Sequence, residues 1–278
     1  GYGRVDARRR VVVSDGEKLL AGAREGGDEP RLLAENLLGV ASVISDADRL
    51  AAARWAMENL KAEVFILDDG FQHLQIARDL DIVTIDATSP WGGGRLLPTG
   101  RLREPRGGLA RADCVVITRA DLAPDLEALR SEVRQLNGNR AAILASRVKT
   151  LRVRPFIVEA ARVEHESAAA VPQPLGVFCA IGNAEAFFRH VLNDGHEVCY
   201  TRAFPDHHRF TQDEIDGLTQ ETARQGARAL LTTAKDAVKL RGLRFTLPLY
   251  VLEMDLEFDD ASALTSLVRA TLRSNNRR

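Results

Sequence analysis

Two adjacent carboxylates followed by a glutamine and a histidine form the segment of this sequence that most strongly suggests chemistry. The apolar segment 64–67 predicts a β-strand, and it is followed by Asp68-Asp69-Gly70-Phe71-Gln72-His73. In open α/β sheets ligands bind at the carboxyl ends of strands, and carboxylates there suit Mg²⁺, which completes its octahedron with water and phosphate oxygens. The alternative is a helix-capping aspartate beside a solvated one. The second acid and the Gln72-His73 pair favour a functional site.

A second candidate is the acidic and histidine-rich segment Pro205-Asp206-His207-His208-Arg209-Phe210, which precedes a predicted helix start at Thr211. Histidine changes its charge near neutral pH and serves as general base or metal ligand. Aspartate and histidine are also common in turns, where they have no catalytic role. The residues alone leave all three roles open: metal ligand, base or turn.

The third candidate is a segment rich in glycine and arginine that follows a predicted strand ending near Asp86. It reads Trp91-Gly92-Gly93-Gly94-Arg95-Leu96-Leu97-Pro98-Thr99-Gly100-Arg101-Leu102-Arg103-Glu104-Pro105. Glycine allows close approach of the backbone to a ligand, and arginine binds phosphates and carboxylates through a planar fork of donors. A flexible basic surface loop is the alternative interpretation. Trp91 and the prolines favour an ordered loop that binds anions.

Two weaker candidates have ordinary structural explanations. Asp28, in Gly26-Gly27-Asp28-Glu29-Pro30, resembles a helix cap. Lys235 and Asp236 follow a predicted strand and could face a ligand or lie in an exposed first turn. A phosphate-cradling G-x-x-x-x-G-K-[ST] loop, which a P-loop kinase or ATPase requires, occurs nowhere in the sequence.

The elements that must position these residues alternate along the chain as strand and helix. Strands are predicted at 11–13, 64–67, 82–85, 114–118, 142–145, 176–180, 229–233 and 249–252. Ser45 with Asp48, and Thr211 with Glu214, resemble capping signals before helical patterns. A third helix is predicted around Phe187, ending at Gly195. The alternation predicts an α/β fold with mostly parallel sheets, and residues 147–174, which alternate polar and apolar, predict a β linker.

Composition excludes several classes of protein. The 278 residues carry 38 Lys and Arg against 39 Asp and Glu, a net charge of −1, whereas a general nucleic-acid binder has a basic excess. Three cysteines are too few for a disulfide framework and predict buried thiols. An apolar run of 18 residues or more is absent, so we expect no membrane-spanning helix.

In their order along the chain, these motifs resemble the lipid A 4′-kinase family, the tetraacyldisaccharide 4′-kinases. Each motif is weak by itself, but the ordered set is specific and covers the chain from residue 1 to about residue 240. The matching segments are Gly1-Tyr2-Gly3-Arg4, Gly27-Asp28-Glu29-Pro30, Asp48-Arg49, Asp68-Asp69-Gly70-Phe71-Gln72-His73, Gly94-Arg95-Leu96-Leu97-Pro98, Leu102-Arg103-Glu104-Pro105, Ile181-Gly182-Asn183, Phe204-Pro205-Asp206-His207-His208 and Thr233-Ala234-Lys235-Asp236-Ala237-Val238-Lys239.

The resemblance implies an architecture and a reaction. It implies a P-loop-kinase-like three-layer α/β/α domain at 1–146, a two-stranded β linker at 147–174 and a smaller α/β domain at 175–278. The implied reaction transfers the γ-phosphate of ATP, with Mg²⁺, to the 4′-hydroxyl of a tetraacylated glucosamine disaccharide at the cytoplasmic face of the bacterial inner membrane. A Walker A loop and a membrane-associating helix precede Gly1 in that family, so we expect a truncated kinase that is inactive as these 278 residues alone.

The resemblance also implies roles for individual residues. Asp28 and His207 are the implied catalytic base pair, with His208 as the alternative histidine. The predicted boundaries place Asp28 and His207 in different domains. The remaining implied roles are metal binding by Asp68 and Asp69, and substrate or phosphate binding by Gln72, His73, Arg103 and Glu104.

Two other functions compete with the kinase. The paired carboxylates Asp68 and Asp69 with His73, together with Asp206-His207-His208, could bind one or two Mn²⁺ or Mg²⁺ and activate water, as in a metal-dependent phosphohydrolase. A non-catalytic fragment that binds the lipid disaccharide is the third hypothesis. The kinase requires nucleotide, the hydrolase requires metal alone, and the fragment turns over nothing.

Overall fold

The computed structural model describes residues 4–6, 8–156 and 171–275 of the chain. Its strands are β1 Val11–Ser14, β2 Val43–Ser45, β3 Ile82–Asp86, β4 Cys114–Thr118, β5 Ala142–Pro155, β6 Leu175–Cys179, β7 Val198–Ala203, β8 Ala229–Thr233 and β9 Leu249–Phe258. Its α-helices are α1 Ala23–Gly26, α2 Asp28–Asn36, α3 Arg49–Leu60, α4 Leu126–Asn137, α5 Ala184–Asn193, α6 Gln212–Arg224, α7 Ala234–Ala237 and α8 Ala261–Asn275. Short 3₁₀ helices cover Arg106–Arg111 and Ala120–Leu122. The predicted alternation of strand and helix is confirmed.

The chain forms two compact units, each built from two separate stretches. The first unit contains residues 1–65 and 150–254, and the second contains residues 66–149 and 255–278. The predicted domain boundaries at residues 146 and 174 stay a prediction, because compact packing does not define which segments fold independently.

The first unit is organised around a sheet in which β9, β8, β6 and β7 are neighbours in that order, and every pair is parallel. Side chains alternate between the two faces of a strand. On one face Phe178 and Leu230 pack with Ile215 and Leu218 of α6. The opposite face carries a second apolar cluster, which contains Leu175, Val177, Cys179, Ala229, Leu231, Leu252, and Phe187 and Val191 of α5. Helices therefore cover both faces, as a parallel sheet requires.

The second unit repeats this three-layer arrangement with β3, β4 and the first part of β5, which pair in parallel. On one face Val115 and Ile117 pack with Leu129 and Val133 of α4. The opposite face forms another cluster, which contains Cys114, Val116 and Leu144 with Ala263, Leu264 and Leu267 of α8. The α/β class predicted from the sequence is therefore confirmed.

Several predicted elements lie where the sequence places them. Strands β4 and β8 match their predicted bounds, and α6 begins with the predicted capping box of Thr211 and Glu214. Gly195 adopts a φ of 83° just beyond α5, and this left-handed conformation ends a helix at little cost in glycine. The cysteines are free thiols, and burial raises the pKa of Cys179 to about 12.

Other predictions were wrong. Residues 64–67 form no strand, and Ile66 is 95% exposed, because no neighbouring strand among the described residues pairs with this segment. Asp48, rather than Ser45, caps α3 by accepting a hydrogen bond from the N–H of Ala51. Strands β2 and β7 were missed.

The β linker predicted at 147–174 coincides in part with β5, which continues to Pro155. Residues 157–170 of that linker, and Gly1-Tyr2-Gly3 of the first motif, lie outside the described residues. Within the described part of the chain, no helix combines the length and the apolar composition needed to cross a membrane.

Candidate active site

A carboxylate and an imidazole meet in the first unit. Oδ2 of Asp28 lies 3.3 Å from Nδ1 of His207, although the two residues are 179 positions apart in the chain. Both side chains are mostly buried, with exposed fractions of 13% and 18%. A carboxylate at Nδ1 orients the ring and stabilises its protonated form, as in other acid–histidine pairs. The arrangement can therefore act as a general base.

The predicted boundaries place Asp28 and His207 in different domains, whereas both residues lie in the first compact unit. The reason is long-range packing: α2 contacts α7, so the beginning of the chain joins the segment around β8. The two side chains are consequently in contact in the structure as it stands.

Local backbone geometry places Asp28 at the start of α2. Gly27 precedes the helix with a φ of 102°, a conformation that side-chain-bearing residues rarely adopt. At Gly26 an added Cβ would lie 2.6 Å from Cγ2 of Val13, so this position also requires glycine. Asp28 is the first residue inside the helix, whereas the sequence predicted a cap. The partial positive charge of a helix N-terminus favours a carboxylate there.

His207 lies in the loop between β7 and α6 and has a left-handed φ of 60°. Its backbone N–H donates to Oδ1 of Asp206 at 3.0 Å, which stabilises this turn. Left-handed backbone in residues other than glycine costs energy and concentrates at functional sites. The turn directs the ring of His207 towards Asp28.

His208, the alternative histidine, has a different environment. Its ring stacks on Phe204 with 5.0 Å between ring centroids, and its Nε2 lies 3.1 Å from the carboxylate oxygens of Glu214. Glu214 also completes the capping box of α6. His208 therefore packs against the helix start, and His207 is the histidine that contacts Asp28.

Two lysines lie beside the pair. Nζ of Lys235 is 2.7 Å from Oε1 of Glu29 and 3.0 Å from Oδ1 of Asp206. Nζ of Lys239 is 3.8 Å from Oδ2 of Asp28. Glu29 and Asp206 also approach Nε2 of His207, at 3.5 and 3.8 Å. The imidazole is thus surrounded by charges of both signs.

Burial and neighbouring charges shift the pKa values of Asp28, Asp206 and Lys235. Burial raises the pKa of Asp28, and the positive charge of Lys239 together with the hydrogen bond to His207 only partly opposes it. Burial would also raise the pKa of Asp206, but the hydrogen bond and charge of Lys235 outweigh it, so that pKa is lowered. Burial would lower the pKa of Lys235, yet its hydrogen bonds to Glu29 and Asp206 raise it.

The second unit contains the other predicted site residues. Asp69, with a left-handed φ of 55°, forms an ion pair with Arg103. Nε2 of Gln72 donates to Oε1 of Glu104 at 2.8 Å. Glu104 also accepts from Nη2 of Arg111 at 2.8 and 2.9 Å. We refer to this cluster as the loop network; it consists of Asp69, Gln72, Arg103, Glu104 and Arg111.

Asp68 and His73 lie beside the loop network. Asp68 is exposed, and the N–H of His73 donates to the carbonyl of Gly70 at 2.9 Å in a tight turn. Among the described residues, no group of three or more Asp, Glu, His or Cys side chains converges as a metal site. Two adjacent carboxylates nevertheless fit Mg²⁺, which takes one or two protein oxygens when water and phosphate supply the rest.

Sequence reasoning gave no role to Lys239 and missed Arg111. A signal existed for the lysine, because Lys235 and Lys239 are four positions apart and this spacing places side chains on one helical face. Arg111 had no comparable signal. Its guanidinium lies 4.5 Å from the centroid of the Phe71 ring, a contact that only the folded loop creates.

The fold of this chain is similar to that of a kinase of known structure. The crystal structure of LpxK from Aquifex aeolicus in complex with ATP matches with a TM-score of 0.71 and 28% identity, over 97% of this chain and 76% of that one. The fold is therefore that of a P-loop kinase. The family model for tetraacyldisaccharide-1-P 4′-kinase matches residues 1–273, and the chain belongs to this family.

Curated relatives agree with this membership. A tetraacyldisaccharide 4′-kinase from Anaeromyxobacter dehalogenans (strain 2CP-C) is 44% identical over 86% of this chain and 62% of its own length. One from Desulfotalea psychrophila is 37% identical over 90% of this chain and 70% of its own length. The chain thus spans 62% and 70% of the lengths of these two curated relatives.

Proposed function

We propose that the protein transfers the γ-phosphate of ATP to the 4′-hydroxyl of a tetraacylated glucosamine disaccharide, a step of lipid A biosynthesis. The observation that carries this proposal is the contact between Asp28 and His207. A sugar hydroxyl is a poor nucleophile at neutral pH, and a positioned general base raises its reactivity by about 10²–10⁴-fold. Family membership supplies the substrates, since the relatives carry the name tetraacyldisaccharide 4′-kinase.

In this proposal each nitrogen of the imidazole has its own task. Nδ1–H donates to the carboxylate of Asp28, which fixes the tautomer and leaves the lone pair of Nε2 as the proton acceptor. Nε2 removes the proton of the 4′-hydroxyl as its oxygen attacks the γ-phosphorus, and the bond between that phosphorus and the β,γ-bridging oxygen breaks. Asp28 then stabilises the imidazolium. Glu29 and Asp206, near Nε2, are suited to hydrogen-bond the sugar hydroxyls.

We assign the residues of the second unit to phosphate and metal. Asp68 and Asp69 would hold Mg²⁺, which neutralises phosphate charge when bound. Arg103 and Glu104, with Gln72 and His73, would contact phosphate or substrate. The exposed guanidinium of Arg103 supports this assignment, because arginine forms strong bidentate hydrogen bonds with phosphate.

The acylated substrate also suggests a location. A disaccharide carrying four acyl chains partitions into a bilayer. We therefore propose that the protein works peripherally, at the cytoplasmic face of the bacterial inner membrane. Sedimentation with vesicles that contain the lipid substrate would test this, and a protein that stays in the supernatant would contradict it.

The test of function uses the protein encoded by the full coding sequence, incubated with ATP, Mg²⁺ and tetraacyldisaccharide 1-phosphate. We expect a product with a second phosphate at the 4′ position, identified by mass spectrometry and phosphorus NMR. His207→Gln should abolish most turnover, whereas the matched variant His208→Gln should retain it. Phosphate release without nucleotide would indicate the hydrolase instead, and lipid binding without turnover would indicate a binding fragment.

A further inference from the structure

Lys239 and Asp236 form a buried ion pair next to Asp28. Nζ of Lys239 is 2.8 Å from Oδ1 of Asp236, and the two side chains are 5% and 0% exposed. Burying two charges costs several kcal/mol for each ion unless hydrogen bonds and mutual attraction compensate. The surroundings of Asp236 and Lys239 must therefore compensate for the cost of burying these two charges.

Asp236 is fixed from two strand ends. Its Oδ2 accepts the N–H of Ala180, just beyond β6, at 2.9 Å and the hydroxyl of Thr233, at the end of β8, at 2.8 Å. These bonds hold the carboxylate in place. Asp236 is thus a rigid anchor for the ammonium group of Lys239.

Lys239 directs its charge towards Asp28. The only carboxylates within ion-pair distance of its Nζ, among the described residues, are Asp236 and Asp28, and Nζ also lies 5.5 Å from the centroid of the Phe210 ring. Neither carboxylate contact has hydrogen-bond geometry, so the interaction with Asp28 is one of charge. An opposite charge within about 4–6 Å favours the ionised form of a carboxyl group.

The other ionisable groups around Asp28 do not replace this effect. Glu29 adds a second negative charge, and Lys235 is engaged by Glu29 and Asp206. Strands β1 and β2, which pack against α2, carry no ionisable side chain. The remaining charged groups on elements near α2 are Arg24, Glu25, Arg31, Glu35 and Arg241. Arg31 and Arg241 both pair with Glu35 near the far end of α2.

We propose that Lys239, anchored by Asp236, is a positioning residue that keeps Asp28 ionised beside His207; this role rests on the proposed kinase function. A protonated Asp28 could neither accept the Nδ1–H of His207 as a charged partner nor stabilise the imidazolium. Lys239 partly offsets the burial that otherwise favours the protonated acid. It acts through Asp28 and does not contact the substrate.

The test is a titration of the Asp28 carboxyl group by carbon-13 NMR in the 278-residue chain, without substrate. In Lys239→Met we expect the pKa of Asp28 to rise by about 1–3 units. Arg241→Met is the matched control, because it removes one positive charge from the same segment but away from Asp28, and it should leave that pKa unchanged. Lys239→Arg keeps the charge and should preserve the wild-type value.

Lys239→Met leaves Asp236 buried without its counter-ion, and such a variant can fail to fold. The double variant Asp236→Asn/Lys239→Met removes both charges and should show the same rise in the pKa of Asp28. An unchanged pKa in whichever variant folds would overturn the proposal. The titration needs no kinase activity, so its result is distinguishable from a failure of the proposed function.

A kinetic measurement on the protein from the full coding sequence tests the consequence. In Lys239→Met the acid limb of the kcat profile should move to higher pH, with the KM for the lipid unchanged. An equal loss of kcat at every pH would indicate a merely structural role and would also overturn the proposal.

Discussion

The two clusters of candidate residues differ in how the fold holds them. Asp28 and His207 in the first unit are mostly buried, and charged side chains of α2, of the loop before α6 and of the turn after α7 approach them. Asp69 and Arg103 in the loop network are more than half exposed. Charges interact more strongly where water is excluded, while exposed pairs contribute about 0–1 kcal/mol.

This difference suggests two kinds of work. A proton acceptor needs a fixed orientation, which burial and contacts with neighbouring charged side chains provide. Residues that handle phosphate and Mg²⁺ must exchange ligands with solvent, so exposure is compatible with their role. We therefore expect substitutions of Asp28 and His207 to lower turnover most. Substitutions in the loop network should mainly change how the rate depends on the concentrations of Mg²⁺ and of phosphate-bearing substrate.

The largest effect should come from substitution of Asp28 or His207. In the protein from the full coding sequence, Asp28→Ala and His207→Ala should each lower kcat by about 10²–10⁴-fold. The double variant should be little worse than either one, because the two residues act as a unit. Additive losses, or a raised KM with preserved kcat, would reject the pair.

The next effect concerns the adjacent carboxylates of the second unit. Asp69→Asn keeps the side-chain shape but removes the negative charge, so turnover should fall by about tenfold or more and the Mg²⁺ concentration for half-maximal activity should rise. A Mg²⁺ titration of initial rates measures both. Asp79→Asn, another exposed aspartate of this unit, is the control and should behave like wild type. Unchanged Mg²⁺ dependence in both Asp68→Asn and Asp69→Asn would refute the metal assignment.

A smaller effect is expected for the exposed guanidinium. Arg103→Gln should raise the KM for a phosphate-bearing substrate by about tenfold, the value of one charge-assisted hydrogen bond, and change kcat less. Added salt should reduce the difference between variant and wild type, because salt screens exposed charges. A larger change in kcat than in KM that does not depend on salt would indicate that Arg103 acts in the chemical step, as Asp28 and His207 do, and would contradict this prediction.

The smallest effect is on stability. The pKa of Asp28 is raised in the folded state. Protonated Asp28 therefore contributes to the free energy of unfolding, and this contribution is lost as pH rises through the pKa of the folded state. Asp28→Asn should therefore raise Tm at neutral pH by about 1–3 °C, with the gain disappearing below the unfolded pKa of about 3.9. Thermal unfolding followed by circular dichroism at several pH values measures this. A loss of stability at neutral pH would contradict the sign of the shift.

Much of the fold was predictable because its signals are local. Strands such as β4 and β8 are short apolar runs, buried as a sheet covered on both faces requires. Thr211 and Glu214 cap α6 through hydrogen bonds that span three residues. The segment 64–67 failed for the complementary reason: its apolar composition suits a strand, but pairing depends on a neighbour that local sequence does not specify.

The α/β class, most strand positions, the family motifs and most residues of the two candidate clusters can be read from the amino-acid sequence. The folded structure is needed to show that His207 rather than His208 contacts Asp28, and that Lys239 lies within ion-pair distance of Asp28. Periodicity and capping are properties of neighbouring residues and can be read along the chain. A contact across 179 positions depends instead on long-range packing, such as that of α2 beside α7, which neither segment specifies alone.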